Sequence, residues 1–428
     1  MLSCLPVGRQ AKAKWGRSAS FHIMNAHRHK YKYLIILMTV FVVRMYPSPA
    51  QAKEKDRVAE EFYENGALRA RRIYRGELLE GLSERYYPDG QVKGQEVYKE
   101  GQRHGLQKKF YPEGQILSEK TYNHGLLQGE SKEYFRTGKL RSVELFEDDS
   151  LNGVSKYYFG NGSLQYLMNF KQGKLDGISY EYYRDGTQKN SVSYREGLRD
   201  GPVQEYDEKE HLQAEWTYHQ GQRNGLSKIY YPGGSVKWKT HFKNDLADGT
   251  SLAYSEKGDL VMEAHFRKGA LDGKVTEYFS NGNIKSVSEF RDDRKEGLAM
   301  EYDMNGTLRL EKKFKKGREI GVSKEYYENG ALWVLRTYFN ENHDGKLREF
   351  YQTGELKQEW KIKGGILEGE SMAYYQDGAV MSEEKYRNGK KDGLVSLYHQ
   401  DGSLMYEDVY SDGARIKRKT FKPESGVQ

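Results

Sequence analysis

A glycine that returns every 24 residues constrains this chain more than any other feature. Glycine occupies each twenty-fourth position from Gly81 to Gly393 without an insertion. A second series lies nine residues later, runs from Gly66 to Gly402, and is broken only at Glu210. A unit this short cannot bury a core alone, so the period predicts stacked repeats rather than separate globular domains.

The apolar residues follow the same period. In the unit at 81–104 the segments "LSERYYP" and "VKGQEVYK" are short, rich in β-forming residues and separated by "PDG". Such segments predict two strands joined by a hairpin turn in which glycine accepts a positive φ. A third turn position, twenty residues after the first glycine, is Gly or Asp in most units, which favours a left-handed conformation there. Glu77 and Glu341 fit that position less well.

The fold class predicted from this pattern is all-β. We expect an elongated open antiparallel β-meander or solenoid of about fifteen 24-residue two-stranded repeats over residues 53–416, followed by a polar C-terminal cap at 417–428. Alternation along the chain predicts that Leu82, Tyr86, Val92 and Tyr98 share one face of the sheet, with Tyr87 on the other.

Composition and charge narrow the class of protein. Only 36% of the residues are apolar, yet 13% are aromatic and 35 are Tyr, so the tyrosines must supply much of the buried surface. From Lys53 onward 61 basic residues face 62 acidic ones, a formal charge of −1. A nucleic-acid partner has no support from this balance. Cys4, the sole cysteine, lies before Lys53, which predicts an array without disulfides or thiolate metal sites.

Residues 1–52 have the three parts of a secretory signal peptide. They contain eight Lys or Arg and no acidic residue, the 11-residue apolar run "YLIILMTVFVV", and an A-x-A-like site that ends at Ala52. Met24 is an alternative start. We therefore predict export, with a periplasmic, outer-membrane-associated or extracellular location in a bacterium.

The repeat residues resemble a known family. "GLSERYYPDGQVKGQEVYKEGQRHG" at 81–105 and "GISYEYYRDGTQKNSVSYREGLRDG" at 177–201 are similar to the MORN repeat, in the bacterial variant found in exported repeat proteins and in YwqK-like antitoxins. The resemblance implies a scaffold, a protein-binding module or a lipid-associated module. For the antitoxin members it implies binding and neutralising a toxin.

Catalytic chemistry has no strong signature in the sequence. The chain lacks a G-x-S-x-G elbow, a P-loop and an H-E-x-x-H motif. His241 and His265 share a repeat position, but stacked repeats would separate them by about 10 Å. The pairs Asp148-Asp149 and Asp292-Asp293 are interpreted as solvated turns. We predict no enzyme activity, no cofactor and no metal site.

The candidate partner-binding residues are a second aromatic series, which we call the aromatic stripe. The stripe includes Tyr63, Tyr87, Tyr111, Phe135, Phe159 and Tyr183. Tyrosine is favoured at interfaces because it is amphipathic and has few rotors. Two interpretations stay open: the rings dock a protein, glycan or peptide, or they pack over the sheet and stabilise it.

The function predicted from the sequence is an exported, non-catalytic repeat scaffold that binds a protein or cell-envelope partner through its extended sheet surface. An antitoxin or immunity protein that neutralises a cognate toxin is the first alternative. A membrane-surface module is the second, to which the basic tail from Arg415 to Lys422 would contribute weakly.

Overall fold

The computed structural model describes residues 55–421, in which strands and turns are the only secondary structure. The predicted signal peptide at 1–52 and residues 422–428 lie outside this range. Contacts divide the chain into two units, with the boundary between Lys174 and Leu175. The described residues contain no helix long and apolar enough to cross a membrane.

The first unit is a run of antiparallel strands. Its strands are β1 (Asp56–Phe62), β2 (Leu68–Arg75), β3 (Leu78–Leu79), β4 (Gly81–Tyr86), β5 (Val92–Lys99), β6 (Gln102–Arg103), β7 (Gly105–Phe110), β8 (Ile116–Asn123), β9 (Leu126–Tyr134), β10 (Leu140–Glu147), β11 (Ser150–Leu151), β12 (Gly153–Tyr158) and β13 (Leu164–Lys171). The short strand β14 (Lys174–Leu175) contains the unit boundary.

The second unit continues the same alternation. Its strands are β15 (Gly177–Tyr182), β16 (Gln188–Arg195), β17 (Leu198–Tyr206), β18 (Leu212–His219), β19 (Gln222–Arg223), β20 (Gly225–Tyr230), β21 (Val236–Lys243), β22 (Leu246–Tyr254), β23 (Leu260–Arg267), β24 (Ala270–Tyr278), β25 (Ile284–Arg291), β26 (Arg294–Tyr302), β27 (Leu308–Lys315), β28 (Arg318–Glu319), β29 (Val322–Tyr326), β30 (Leu332–Tyr338), β31 (Gly345–Phe350), β32 (Leu356–Lys363), β33 (Ile366–Tyr374), β34 (Val380–Arg387), β35 (Lys390–Lys391), β36 (Gly393–Tyr398), β37 (Leu404–Ser411) and β38 (Ala414–Thr420).

The all-β class and the open antiparallel meander are confirmed. Each long strand pairs antiparallel with its neighbours in the chain, and among the described residues β1 pairs only with β2 and β38 only with β37. The 38 strands exceed the expected thirty for two reasons. In seven repeats a bulge separates a two-residue strand from the first strand of the repeat, and β38 adds a last strand that runs past residue 416.

The turn within each repeat is a three-residue loop. At 87–91 the N–H of Gly90 donates to the carbonyl oxygen of Tyr87 at 2.9 Å, and Gly90 has a φ of +87°. Asp89 keeps a negative φ, so the loop is a type I turn followed by a left-handed glycine. The glycine adds a one-residue bulge, and the register shifts between the pairs Arg85–Gly94 and Tyr86–Val92.

The turn between repeats is tighter than the sequence suggested. Glu100 and Gly101 both have positive φ, +52° and +78°, which defines a two-residue type I′ turn between Lys99 and Gln102. The other two residues of this connection form a bulge at Gly105, whose φ is +77°. The pairing resumes beyond it in a shifted register.

The predicted assignment of one common face is wrong for Tyr98. Leu82 pairs with Val97 and Tyr86 with Val92, so these four side chains do share a face, which we call the leucine face. Tyr98 follows Val97 and lies on the opposite side, the serine face, with Ser83. The prediction carried alternation across a turn and its one-residue bulge, but alternation holds only within a strand.

Small side chains fill the buried positions of the serine face. Ser155 and Ala264 are fully buried there, and Val192 is 4% exposed. Serines recur at the position after Leu82, and the hydroxyls of six of them have no hydrogen-bond partner in the described chain. These residues are Ser83, Ser131, Ser155, Ser179, Ser227 and Ser323. The low apolar content therefore reflects serine at positions that other folds fill with aliphatic side chains.

One repeat departs from the pattern. Between β30 and β31 the pairing keeps a single register as far as Tyr338–Gly345, without the two-residue bulge. The two residues that form the bulge in other repeats belong here to a longer loop. In this loop Glu341 replaces the usual glycine, and His343 takes the positive φ, +58°. The weak fit expected of Glu341 is thus explained by a different turn. Glu77 avoids strain because the preceding Gly76 takes the positive φ, +62°.

Candidate functional site

The aromatic stripe lies where each repeat meets the next. Tyr87 donates its N–H to the carbonyl oxygen of Gln91 at 2.8 Å and accepts the N–H of Gly90, so its backbone closes the turn of its own repeat. Its hydroxyl donates to the carbonyl oxygen of Phe110 in the following repeat at 2.8 Å. Tyr87 therefore links two repeats along the sheet.

Every tyrosine of the stripe makes this same bond, with a donor–acceptor distance between 2.7 and 3.0 Å. The donors are Tyr63, Tyr87, Tyr111, Tyr183, Tyr231, Tyr327, Tyr351 and Tyr375, and each acceptor lies 23 residues further on. We call this contact the tyrosine latch. The interpretation of the stripe as structural packing gains a specific physical form, since a half-buried hydroxyl needs a partner.

Residues without a phenol hydroxyl show what the latch requires. Phe135 and Phe159 keep the ring but have no hydroxyl to donate. Asp207 and Asp303, which interrupt the stripe, close their own turns instead: Asp207 Oδ1 accepts the backbone N–H groups of Lys209 and His211 at 2.9 Å. A polar side chain at this position thus bonds either the next repeat, as tyrosine does, or its own turn, as aspartate does.

Cations cover the rings of the stripe. Lys93 Nζ lies 5.4 Å from the ring centroid of Tyr87, and the guanidinium of Arg69 lies 5.8 Å from that of Tyr63. Arg141 and Lys189 cover Phe135 and Tyr183 in the same way. Each contact at an exposed site contributes about 0.5–1 kcal/mol. Burial raises the pKa of the Tyr183 hydroxyl, which therefore stays protonated as a donor at neutral pH.

The six predicted stripe residues fall in both units. Tyr63, Tyr87, Tyr111, Phe135 and Phe159 belong to the first unit and Tyr183 to the second, and all six are half-buried. The hydroxyls of the four tyrosines are occupied by the latch, and a cation covers one ring surface of each of them and of Phe135. The partner-binding role stays a prediction for the remaining ring edges.

The turns between repeats form a second ladder that the sequence did not reveal. The N–H of Gly101 donates to the carbonyl oxygen of Leu79 in the preceding turn at 2.9 Å, and Gly125 does the same to Arg103. Side chains add to it, since Glu80 Oε2 accepts the N–H of Glu100 at 2.9 Å. Hydrogen bonds therefore join successive turns, in addition to those that join the strands.

The two acidic pairs lie in exposed turns, as interpreted, and they also belong to this ladder. Asp149 and Asp293 adopt positive φ in place of glycine, both near +64°. Asp149 Oδ1 accepts the N–H of Leu127 at 2.7 Å, and Asp293 Oδ1 accepts that of Leu271 at 2.8 Å. Aspartate therefore replaces the glycine at a modest backbone cost and adds a bond that glycine cannot make.

Histidines meet at most single carboxylates, as His211 meets Asp207 at 3.2 Å and His219 meets Asp200 at 3.5 Å. His241 and His265 bond separate backbone carbonyl oxygens, those of Thr250 and Lys274. His104 and His124 do meet, with ring centroids 5.4 Å apart, because the turns of adjacent repeats are neighbours. Over residues 55–421 no three His, Cys, Asp or Glu side chains lie close enough to hold a metal ion.

The leucine face presents a row of exposed aliphatic side chains. Leu82 and Leu106 in the first unit are 40% and 42% exposed, and Leu226 and Leu298 in the second are 36% and 44% exposed. They hold the same position of their repeats, one residue after the leading glycine. We call this set the leucine row.

The fold and its two hydrogen-bond ladders define a β-hairpin repeat protein. The family model described as "MORN repeat variant" matches eight segments. These are residues 79–100, 103–124, 127–148, 151–172, 223–244, 271–292, 319–340 and 391–412. These eight segments are therefore MORN-variant repeats, as the resemblance predicted. No curated protein matches it.

Solved structures give only weak likeness. One is a TcdB2-TccC3-Cdc42 crystal structure, at 10% identity over 87% of this chain and 27% of that chain, with a TM-score of 0.14. Another is a Tc holotoxin pore of Photorhabdus luminescens, at 11% identity over 85% of this chain and 26% of that chain, with a TM-score of 0.15. The chain thus spans about a quarter of the length of these structures, and the TM-scores are too low to define a shared fold.

Proposed function

We propose that this protein is an exported, non-catalytic repeat scaffold that binds a protein partner through the leucine face of its sheet. The observation that carries the proposal is the leucine row. Consecutive repeats set Leu82 and Leu106 about 10 Å apart, and exposed apolar surface on a soluble protein marks interaction sites.

The contacts that stabilise the array do not involve the leucine row, and this difference supports the proposal. Small buried residues, the tyrosine latch and the turn ladder hold the array together, and none of them uses the leucine row. The aliphatic side chains of the row therefore contribute little to folding where they are. A protein partner would bury them and gain roughly 25 cal/mol for each Å² of apolar surface removed from water.

Capture experiments on matched variants test the binding surface. The full chain, the double variant Leu82→Lys/Leu106→Lys, and the control Ile416→Lys would be used to capture proteins from envelope extract. Ile416 is 66% exposed but lies on the last strand, outside the row. A protein retained by the wild type and the control but lost with the double variant supports the proposal. Equal retention by all three refutes it.

Export is tested separately. Cell fractionation followed by N-terminal sequencing should find the protein outside the cytoplasm, beginning at Lys53. A cytoplasmic protein that retains residues 1–52 would refute the exported part of the proposal while leaving the binding surface to its own test.

A further inference from the structure

One end of the leucine face in the second unit carries two directly opposed pairs of cations. Arg291 lies directly opposite Arg294, and Lys315 directly opposite Arg318. Like charges in directly opposed positions destabilise a sheet. The two pairs lie in consecutive repeats, so four cations stand at adjacent hairpin ends.

Other repeats balance the cation at this position with a carboxylate five residues later. Arg387 Nε bonds Asp392 Oδ2 at 3.0 Å, Arg75 bonds Glu80 at 3.1 Å, and Arg267 bonds Asp272. The position that should serve Lys315 is occupied by Ile320, which has no charge to offer.

Glu296, five residues after Arg291, forms no ion pair with it, and Asp248 and Glu368 likewise form none with Lys243 and Lys363. Glu296 Oε2 accepts the backbone N–H of Lys316 at 2.8 Å. Within the described residues Arg291, Arg294, Lys315 and Arg318 form no ion pair, and all four are exposed. Segments 291–296 and 313–318 together hold seven Lys or Arg against Asp292, Asp293 and Glu296, a formal charge of +4.

An exposed leucine lies beside these cations. Leu298 is 44% exposed and pairs across the strands with Lys313, another exposed cation. Leu298 therefore has Lys313 on one side, and on the other side the carboxylate of Glu289 lies near Gly297. We call Arg291, Arg294, Leu298, Lys315 and Arg318 the basic patch.

We propose that the basic patch binds an acidic protein segment that carries an apolar side chain between its carboxylates. The inference rests on the proposed function and names the chemistry of its partner. Carboxylates placed between the opposed cations would remove their mutual repulsion, and the apolar side chain would cover Leu298.

An acidic segment fits better than a membrane or a nucleic acid. The patch covers only two hairpin ends, and carboxylates such as Asp272 and Asp344 flank it in the neighbouring repeats. A surface with continuous phosphate charge would meet those carboxylates as well as the cations. The formal charge of −1 from Lys53 onward gives the whole array no general attraction to such surfaces.

The experiment measures binding of a short synthetic peptide of glutamates with one central leucine to the full chain. The same peptide with glutamine in place of glutamate, and phosphatidylglycerol vesicles, serve as comparison probes. The patch variant is Arg291→Gln/Arg294→Gln/Lys315→Gln/Arg318→Gln. The matched control is Arg387→Gln/Lys390→Gln, which removes another opposed pair of cations whose carboxylates are present.

We expect the patch variant to weaken binding of the glutamate peptide about tenfold or more at low salt, and added salt to weaken wild-type binding. We also expect the patch variant to unfold about 1 °C higher than the wild type, because the repulsion is gone. The control should keep its affinity and gain no stability.

Three results would overturn the inference. They are equal binding of the glutamate and glutamine peptides, unchanged affinity in the patch variant, and binding to the vesicles but not to the peptide. A chain that still captures its partner through the leucine row, but whose patch variant behaves like wild type, contradicts the basic patch alone.

Discussion

The tyrosine latch predicts a specific loss of coupling when its hydroxyl is removed. Tyr111→Phe keeps the ring and deletes one bond of 2.9 Å to the carbonyl oxygen of Tyr134 in the next repeat. Such a bond contributes a net 0.5–1.5 kcal/mol, so the variant should lose about 1 kcal/mol. The loss falls on the interface term between neighbouring repeats, on which the stability of an array depends.

The effect should add up along the first unit. Latches in successive repeats lie about 10 Å apart, far enough for independent contributions. The triple variant Tyr63→Phe/Tyr87→Phe/Tyr111→Phe should therefore lose about 3 kcal/mol. That is a large share of the roughly 5–15 kcal/mol that stabilises a typical domain.

The chain provides one control that should leave the coupling between repeats unchanged and two substitutions that should increase stability. Tyr86→Phe removes a hydroxyl that bonds Glu84 within the same strand, at 2.7 Å, and should leave coupling between repeats unchanged. Phe135→Tyr and Phe279→Tyr place a hydroxyl where stripe tyrosines have one, and each should gain up to about 1 kcal/mol.

Urea unfolding followed by far-UV circular dichroism measures these changes, and hydrogen exchange of the amides at 111–134 locates them. A triple variant with the midpoint of the wild type would refute the latch as a source of stability. A loss in Tyr86→Phe as large as that in Tyr111→Phe would show that the effect is not specific to bonds between repeats.

Three further predictions concern the turns and the last strand. Asp149→Ala should lower stability by about 1–2 kcal/mol in thermal unfolding, because it loses the bond to Leu127 and leaves Ala at a φ of +64°. Asp149→Gly should recover the part of that loss that comes from the backbone conformation. Gly345→Ala should disrupt the hairpin of β30 and β31, seen as fast amide exchange at 334–349, because a Cβ there would lie 1.9 Å from the carbonyl oxygen of Thr337. The control Gly233→Ala, where a Cβ would meet nothing within 4 Å and φ is not positive, should leave that hairpin paired. Hydrogen bonds from Arg418, at 2.7 Å, and from Arg415 hold the pKa of Asp408 below its ordinary value. The stability that this contact gives to β38 is therefore fully present above about pH 3.9 and is lost as the pH falls through the lower folded pKa. In Asp408→Asn, amide exchange of β38 should show no such pH-dependent protection.

The sequence was sufficient for the period, the two strands per repeat and the placement of glycine in turns. These follow from local chemistry, since positive φ selects glycine and alternating aromatic residues select strands. The face of Tyr98 did not follow, because a one-residue bulge at Gly90 changes the alternation and leaves no mark in the spacing.

The candidate site was only partly accessible from the sequence. The stripe was visible as a column of aromatics, but its hydroxyl bond depends on the position of a backbone carbonyl 23 residues away. Asp149 is exposed in a turn, as interpreted, but its acceptor role could not be predicted because it requires knowledge that adjacent turns touch. The opposed pairs Arg291–Arg294 and Lys315–Arg318 required knowledge that the turn between repeats has only two residues.

Amide hydrogen exchange at the turns between repeats tests the central claim most directly, which is that cross-repeat hydrogen bonds hold this polar array together. Gly101, Gly125 and Gly173 in the first unit, and Gly221, Gly269 and Gly389 in the second, each donate an N–H to the preceding turn at 2.8–2.9 Å. The account predicts protection of these amides comparable with that of the strands. Exchange at the rate of exposed two-residue turns in both units would contradict it.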